Sequence, residues 1–252
     1  MSSHPNTTAA NAWVRLPAPR PAARLRLVCF HPAGAGPALF RGWPERLPAD
    51  VELLAVQLPG REARFAEPRL TDYRTAVDRL HSALLPYLDR PYALFGHSMG
   101  ALLAYGFAMA VRRSGDRAPE RLLVSGSPGP GSAPRRLGRS TWSDEQLVAA
   151  LRSMGGTPEE VLAEPGLLAL VLPTLRDDFA VVESFHRPDG PLLDCPVTVL
   201  GGEQDSVSTE ELHRWSAATS GDTSVRTFPG GHFFLTGPAA PDVLKTVSAD
   251  LT

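Results

Sequence analysis

The chain has 252 residues, 43% of them apolar and 21% charged, with a formal net charge of −2. That length suits one α/β domain with an insertion, and the near-neutral balance argues against nucleic acid or an anionic membrane as the main partner. No apolar run reaches membrane-spanning length and the first residues lack a signal peptide's hydrophobic segment, so a soluble, cytoplasmic protein is expected, with Cys29 and Cys195 as buried free thiols.

Residues 1–22 read as a flexible N-terminal segment in which Trp13 to Leu16 has the pattern of a short edge strand, and residues 23–252 as one domain. Arg24 to Phe30 alternates and then turns continuously apolar, as a strand entering a sheet does, and runs into the glycine-rich loop His31-Pro-Ala-Gly-Ala-Gly36. Val51 to Leu58 is the next strand and ends in Pro59-Gly-Arg-Glu-Ala-Arg64. From Thr71, read as an N-cap, Tyr73, Val77, Leu80 and Leu84 share one helical face. The apolar run from Tyr92 turns sharply at Gly96-His97-Ser98-Met99-Gly100 into an alanine- and leucine-rich helix that ends near Gly115. Arg121 to Ser125 is another strand, so the first half alternates strand and helix, the pattern of a mostly parallel sheet covered on both faces.

The alternation breaks over about 128–191, where helix starts appear at Ser143, with Gln146 completing a capping box, and at Thr157. Apolar stretches at Leu167 to Leu172 and Phe179 to Val182 are rich for surface helices, so this insertion is read as a helical cap lining an acyl-sized cavity. The sheet resumes at Pro196 to Gly202, which delivers Glu203-Gln-Asp205 into a loop. A helix from Thr209 through Trp215, a last strand Ser224 to Phe228, the loop Pro229-Gly-Gly-His232 and a helix from Asp242 to Leu251 complete the chain.

A strand, a Gly-x-Ser-x-Gly turn and a helix together make a nucleophile elbow, which holds the Ser98 hydroxyl above the carboxyl edge of an α/β-hydrolase sheet. A serine hydroxyl is a weak nucleophile until a base takes its proton. His232 has the position for that base, in the loop after the last strand; His97 is expected to be turned away by the elbow, and His186 to lie in the cap within reach of substrate. Asp205 follows the penultimate strand and completes the chain order Ser, Asp, His, with Glu203 as the rival carboxylate and Asp194 a weaker one. The oxyanion of the tetrahedral intermediate needs two N–H donors, assigned to Met99, which follows the nucleophile, and Ala33 in the glycine-rich loop; Pro32 has no N–H, Gly34 is the rival donor, and His31 is expected near the pocket mouth. No zinc-ligand spacing, phosphate-cradling lysine loop or dinucleotide fingerprint is present, so the expected chemistry is acyl transfer to water with no metal and no cofactor.

Residues from about Trp13 onward resemble the type II thioesterases that accompany modular polyketide and nonribosomal peptide synthetases. The likeness rests on Leu27-Val-Cys-Phe-His-Pro-Ala-Gly-Ala-Gly36, Gln57-Leu-Pro-Gly-Arg-Glu-Ala-Arg64, Phe95-Gly-His-Ser-Met-Gly100, Cys195-Pro-Val-Thr-Val-Leu-Gly-Gly202 and Gly231-His232-Phe-Phe. The Leu-Pro-Gly-Arg-Glu segment separates it from general esterases and lipases, while His31-Pro32 reverses the family's usual Pro-His order. The resemblance implies hydrolysis of acyl groups from the phosphopantetheine arm of an acyl or peptidyl carrier protein, clearing stalled acyl chains in antibiotic-type biosynthesis; separately, a monomer is expected. Carrier proteins being acidic, Arg135, Arg136 and Arg139 are candidate docking charges, set against a plainer reading as a solvated loop. Two other functions stay open on the sequence: a medium-chain acyl-carrier or general carboxylesterase that releases free acids, and a non-catalytic protein that binds the synthase.

Overall fold

The computed structural model describes residues 12–132 and 138–252. Seven strands among them form one sheet: β1 (Val14–Arg15), β2 (Leu25–Phe30), β3 (Val51–Val56), β4 (Tyr92–His97), β5 (Arg121–Ser125), β6 (Val197–Gly202) and β7 (Thr223–Phe228). Their order is β1-β3-β2-β4-β5-β6-β7, with β1 antiparallel to β3 and every other pair parallel. This is the α/β architecture expected of the sequence.

Parallel strands need crossovers, and those crossovers place helices on both faces of the sheet. The helices are α1 (Tyr73–Leu84), α2 (Met99–Ser114), α3 (Asp144–Met154), α4 (Glu159–Leu162), α5 (Pro165–Glu183), α6 (Thr209–His213) and α7 (Ala240–Ala249). Strand side chains alternate between the two cores. Val28, Phe30, Leu54, Val56 and Leu94 point towards α1 and α2, while Leu27, Cys29, Leu53, Ala55, Ala93 and Phe95 join Phe40, Trp43 and the apolar face of α7. A third cluster, Leu147, Leu151, Leu162, Leu172, Leu175 and Phe179, belongs to α3, α4 and α5, the helices of the insertion.

Two local expectations change. The cap of α1 is Asp72, whose carboxylate accepts the Thr75 N–H, because the carboxylate also meets the positive end of the helix dipole where Thr71 does not reach. The segment expected to be flexible is tied down from residue 12 onward: Val14 and Arg15 pair with β3, and Arg20 donates to the Pro48 and Val51 carbonyls at 2.7 and 2.8 Å. Backbone partners hold this stretch together with the buried Val14 side chain and the packing of Trp13 and Leu16 against the core.

Cys29 is buried and Cys195 partly buried, both as free thiols. Arg135 and Arg136 lie outside the described residues.

Candidate active site

The site begins at the turn from β4 into α2. Ser98 sits at φ 55 and ψ −116, a conformation rare for a residue with a side chain. The geometry is held because strand and helix cross without room for a methyl group: a Cβ on Gly96 would stand 2.1 Å from the Gly100 carbonyl oxygen, and one on Gly100 would stand 2.1 Å from that of Phe30. The Ser98 N–H is also fixed, donating to the Ser125 carbonyl at 2.8 Å. The two glycines are thus required by close approach of backbones, and the strain they permit lifts the hydroxyl clear of the sheet edge.

His232 arrives from the loop after β7. Its Nε2 lies 2.9 Å from Ser98 Oγ and its Nδ1 lies 2.9 Å from Asp205 Oδ2. An ionised carboxylate only accepts, so Nδ1 carries the hydrogen and donates to Asp205, leaving the Nε2 lone pair to receive the Ser98 hydroxyl proton. Burial raises the Asp205 carboxyl, but the hydrogen bond and charge of His232, helped by the Val207 and Ser206 N–H groups, outweigh it and hold the group below the usual carboxylate range. The Asp205 and His232 loops are stapled together by Gln204, whose N–H donates to the Gly230 carbonyl at 3.0 Å and whose Oε1 accepts the Gly230 N–H at 2.6 Å.

The competing residues stand elsewhere. His97 is fully buried, pairs through Nδ1 with the Ser125 hydroxyl at 2.9 Å and packs its ring 5.0 Å from that of His232. Burial, and then the neighbouring His232, push its pKa well below the ordinary histidine range, so it is a neutral wall behind the base. His186, expected within reach of substrate, is instead exposed against Tyr73 in a different surface cavity. Glu203 is exposed, and Asp194 pairs with Arg112. His31 is not at a pocket mouth either: it is 1% exposed, its Nδ1 within 2.9 Å of the Pro32 carbonyl, because the apolar end of β2 carries the ring inward.

Ala33, Ser98, Met99 and His232 line one cavity of about 140 Å³. The apolar side chains of Leu102, Met154, Phe179, Val182 and Phe185 form much of its wall, so the inserted helices cover the Ser98 hydroxyl. The Gly34 N–H is engaged by Asp178 Oδ2 at 2.8 Å, which removes it as the rival oxyanion donor; the N–H groups of Ala33 and Met99 have no partner among the described residues. Arg139 also turns to this cavity, its guanidinium 5.6 Å from the Trp142 ring centre and 5.4 Å from that of Phe179.

Sequence reasoning missed Asp178, Gln204 and a role for Arg61. Asp178 had a signal, an acidic residue within an otherwise apolar helical run. The bonds of Gln204 follow from loop geometry that no spacing encodes.

Such a site can attack a carbonyl with an activated serine, hold the resulting oxyanion on two backbone N–H groups, and pass the proton to a leaving group. Comparison with known proteins agrees with that chemistry. The description of the thioesterase domain family matches residues 25–251. Gramicidin S biosynthesis protein GrsT of Aneurinibacillus migulanus is 38% identical over 215 residues, covering 85% of this chain and 84% of the relative. Thioesterase PikA5 of Streptomyces venezuelae is 37% identical, with 93% of this chain and 84% of the relative covered. Among solved structures, the type II thioesterase BorB from the borrelidin biosynthetic cluster is 35% identical with a TM-score of 0.86, over 98% of this chain and 100% of that one.

Proposed function

The chain belongs to the thioesterase family, and from that premise we propose that it is a type II, editing thioesterase, hydrolysing acyl groups from the phosphopantetheine arm of a carrier protein in polyketide or nonribosomal peptide assembly. The observation that carries this reading is the hydrogen-bonded run from Asp205 through His232 to Ser98 beneath an apolar cavity. Support for the setting comes from the similarity to a gramicidin S biosynthesis protein and to a type II thioesterase from the borrelidin biosynthetic cluster.

In the proposed reaction His232 Nε2 takes the Ser98 proton as Oγ adds to the thioester carbonyl carbon, and the Met99 and Ala33 N–H groups receive the negative oxygen. Asp205 keeps the ring in the required tautomer and stabilises the imidazolium that forms. Collapse breaks the carbon–sulfur bond, the leaving sulfur takes the proton from His232 and departs as the thiol, and His232 is neutral again. Water then attacks the acyl-serine, His232 again acting as base, and the free acid departs with Ser98 restored. A thiolate is a good leaving group, so this site needs little beyond a positioned base and a pair of donors.

No helix among the described residues is long and apolar enough to cross a membrane. The protein is proposed to act on its carrier partner in the cytoplasm, as a monomer.

The test is hydrolysis of short and medium-length acyl groups, each presented three ways: on a phosphopantetheinylated carrier protein, on coenzyme A, and as an oxygen ester. The carrier thioester should give the highest kcat/KM, and Ser98→Ala should abolish turnover. Equal or faster cleavage of the oxygen ester would mark a general carboxylesterase, a sharp preference for medium chains would mark a product-releasing enzyme, and inertness towards all three would leave a binding protein.

A further inference from the structure

The loop 31–36 that supplies the second oxyanion donor has no Asp, Glu, Lys or Arg of its own, yet two charged side chains bond to it and a third packs against its end. Asp178 Oδ2, from α5, accepts the Gly34 N–H at 2.8 Å. Arg61 Nη1 donates to the Ala35 carbonyl at 2.8 Å and, in the same plane of donors, to Asp178 Oδ2 at 2.8 Å, while its Nη2 donates to Asp178 Oδ1 at 2.7 Å. Glu62 Oε1 accepts the Ala38 N–H and stands 2.5 Å from where a Cβ on Gly36 would be.

The bidentate pair is enclosed, with 7% of the Arg61 side chain and 2% of the Asp178 side chain exposed. An ion pair taken out of water is a poor source of net stability, because desolvation offsets most of the attraction; what a fork of two parallel bonds supplies is direction. Here the direction is shared by two moving parts. Fixing the Gly34 N–H fixes the plane of the Ala33–Gly34 peptide, one Cα away from the Pro32–Ala33 peptide that carries the Ala33 N–H, and Leu175, one turn earlier on α5, packs against Gly34 itself.

The same segment takes two further holds on α5, both beyond the proline at position 173 that interrupts the helix ladder. Thr174 Oγ1 donates to the Gly60 carbonyl at 3.3 Å, and Arg69 Nε donates to Asp177 Oδ2 at 2.6 Å. The half of α5 that carries cavity residues Phe179 and Val182 is therefore tied, through residues 60–69, to the oxyanion loop.

We propose that Arg61 and Asp178 are positioning residues that couple the cap to the oxyanion hole: loop 31–36 aims the Ala33 N–H at the intermediate only while α5 is seated on the Arg61 guanidinium. The coupling rests on the thioesterase reading of Ser98 and its partners. It makes the cap part of the catalytic geometry, so that an unseated cap leaves Ser98 with an incomplete oxyanion site.

The test compares the parent with Asp178→Asn, Arg61→Lys and the apolar double variant Arg61→Met with Asp178→Leu, each checked by thermal melting. The substrate is an acyl-pantetheine thioester. Two pantetheine analogues are also bound, a trifluoromethyl ketone that adds to Ser98 and forms an oxyanion, and an unreactive thioether that does not. All three variants are expected to lose kcat by about 10- to 100-fold with KM changed less than about threefold, since a misaimed donor costs about this much. Affinity for the ketone should fall in step with kcat, and affinity for the thioether should stay. Folded variants with parental kcat, or equal losses for ketone and thioether, overturn the coupling.

Amide hydrogen exchange in the unaltered protein is a second measure that needs no variant to fold: the Gly34 N–H should exchange with the second half of α5, and a Gly34 N–H that stays protected while α5 opens sinks the idea. Ser98→Ala run in the same assay keeps the two claims apart. Hydrolysis surviving that change overturns the function itself, whereas Ser98-dependent hydrolysis with unaffected clamp variants overturns only the coupling.

Discussion

Ser98 Oγ and His232 Nε2 stand 2.9 Å apart although 134 positions separate them in the chain. The two meet because β4 lies at the centre of the sheet and β7 at its edge, and both discharge their loops at the same carboxyl end. A hydroxyl and a base at this distance need no rearrangement before the proton moves.

Replacing Asp205 by Asn should therefore lower kcat by about 10⁴-fold while the fold stays intact. The amide can present its NH₂ to Nδ1 and so favour the tautomer with hydrogen on Nε2, which cannot accept the Ser98 proton. Steady-state kinetics on a thioester, with circular dichroism as the control, decides this; a loss under tenfold would mean that the carboxylate does not orient the ring.

An ester in place of the Ala33 amide, introduced by semisynthesis, deletes one N–H and little else. The expected fall in kcat is about 10²–10³-fold with KM nearly unchanged, the signature of a donor that acts on the transition state. Unaltered kcat would assign the second donor elsewhere.

Gly100→Ala should destabilise the protein by about 3 kcal/mol or more, because its Cβ would press on backbone atoms of Phe30 and His31 that have no freedom to retreat. Gly42→Ala, where nothing lies within 4 Å, is the matched control and should shift stability by less than about 0.5 kcal/mol. Denaturant midpoints for the pair test the claim, and equal midpoints would refute it.

His31 links stability to pH. Burial, with the Arg61 charge adding to it and Asp178 opposing, lowers its pKa from 6.5 to about 4. Between those values the unfolded chain binds a proton that the folded one refuses, so the stability present above pH 6.5 is lost as the pH falls to about 4, by roughly 3 kcal/mol. Urea unfolding of the parent and of His31→Gln between pH 7.5 and 4.5 should show a flatter decline in the variant. Some slope will persist, since His97 is neutral and buried as well. Parallel curves would show that His31 takes up its proton without penalty.

Much of this site was legible in one dimension for a definite reason. Elbow, strand-end acid and strand-end base are local consequences of a parallel sheet, each flagged by an apolar run that stops at a polar residue or a glycine. Helix caps were legible too when they depended on neighbours in sequence, as with the capping box of Ser143 and Gln146. His31 and His186 show where this stops. Both sit next to informative residues, and neither spacing nor composition tells which way a loop turns its side chain.

From its amino acids alone this chain declares a parallel α/β sheet, an interrupting helical insertion, and Ser98, Asp205 and His232 as the reactive set, because periodicity and strand-end position are properties of short segments. Only the folded molecule decides that Asp178 reaches from the insertion to the Gly34 N–H, that Arg61 is its partner, and that Arg139 faces the cavity. Those contacts join residues from separate elements, and their direction depends on how α5 packs over the sheet, a long-range outcome that no local pattern carries.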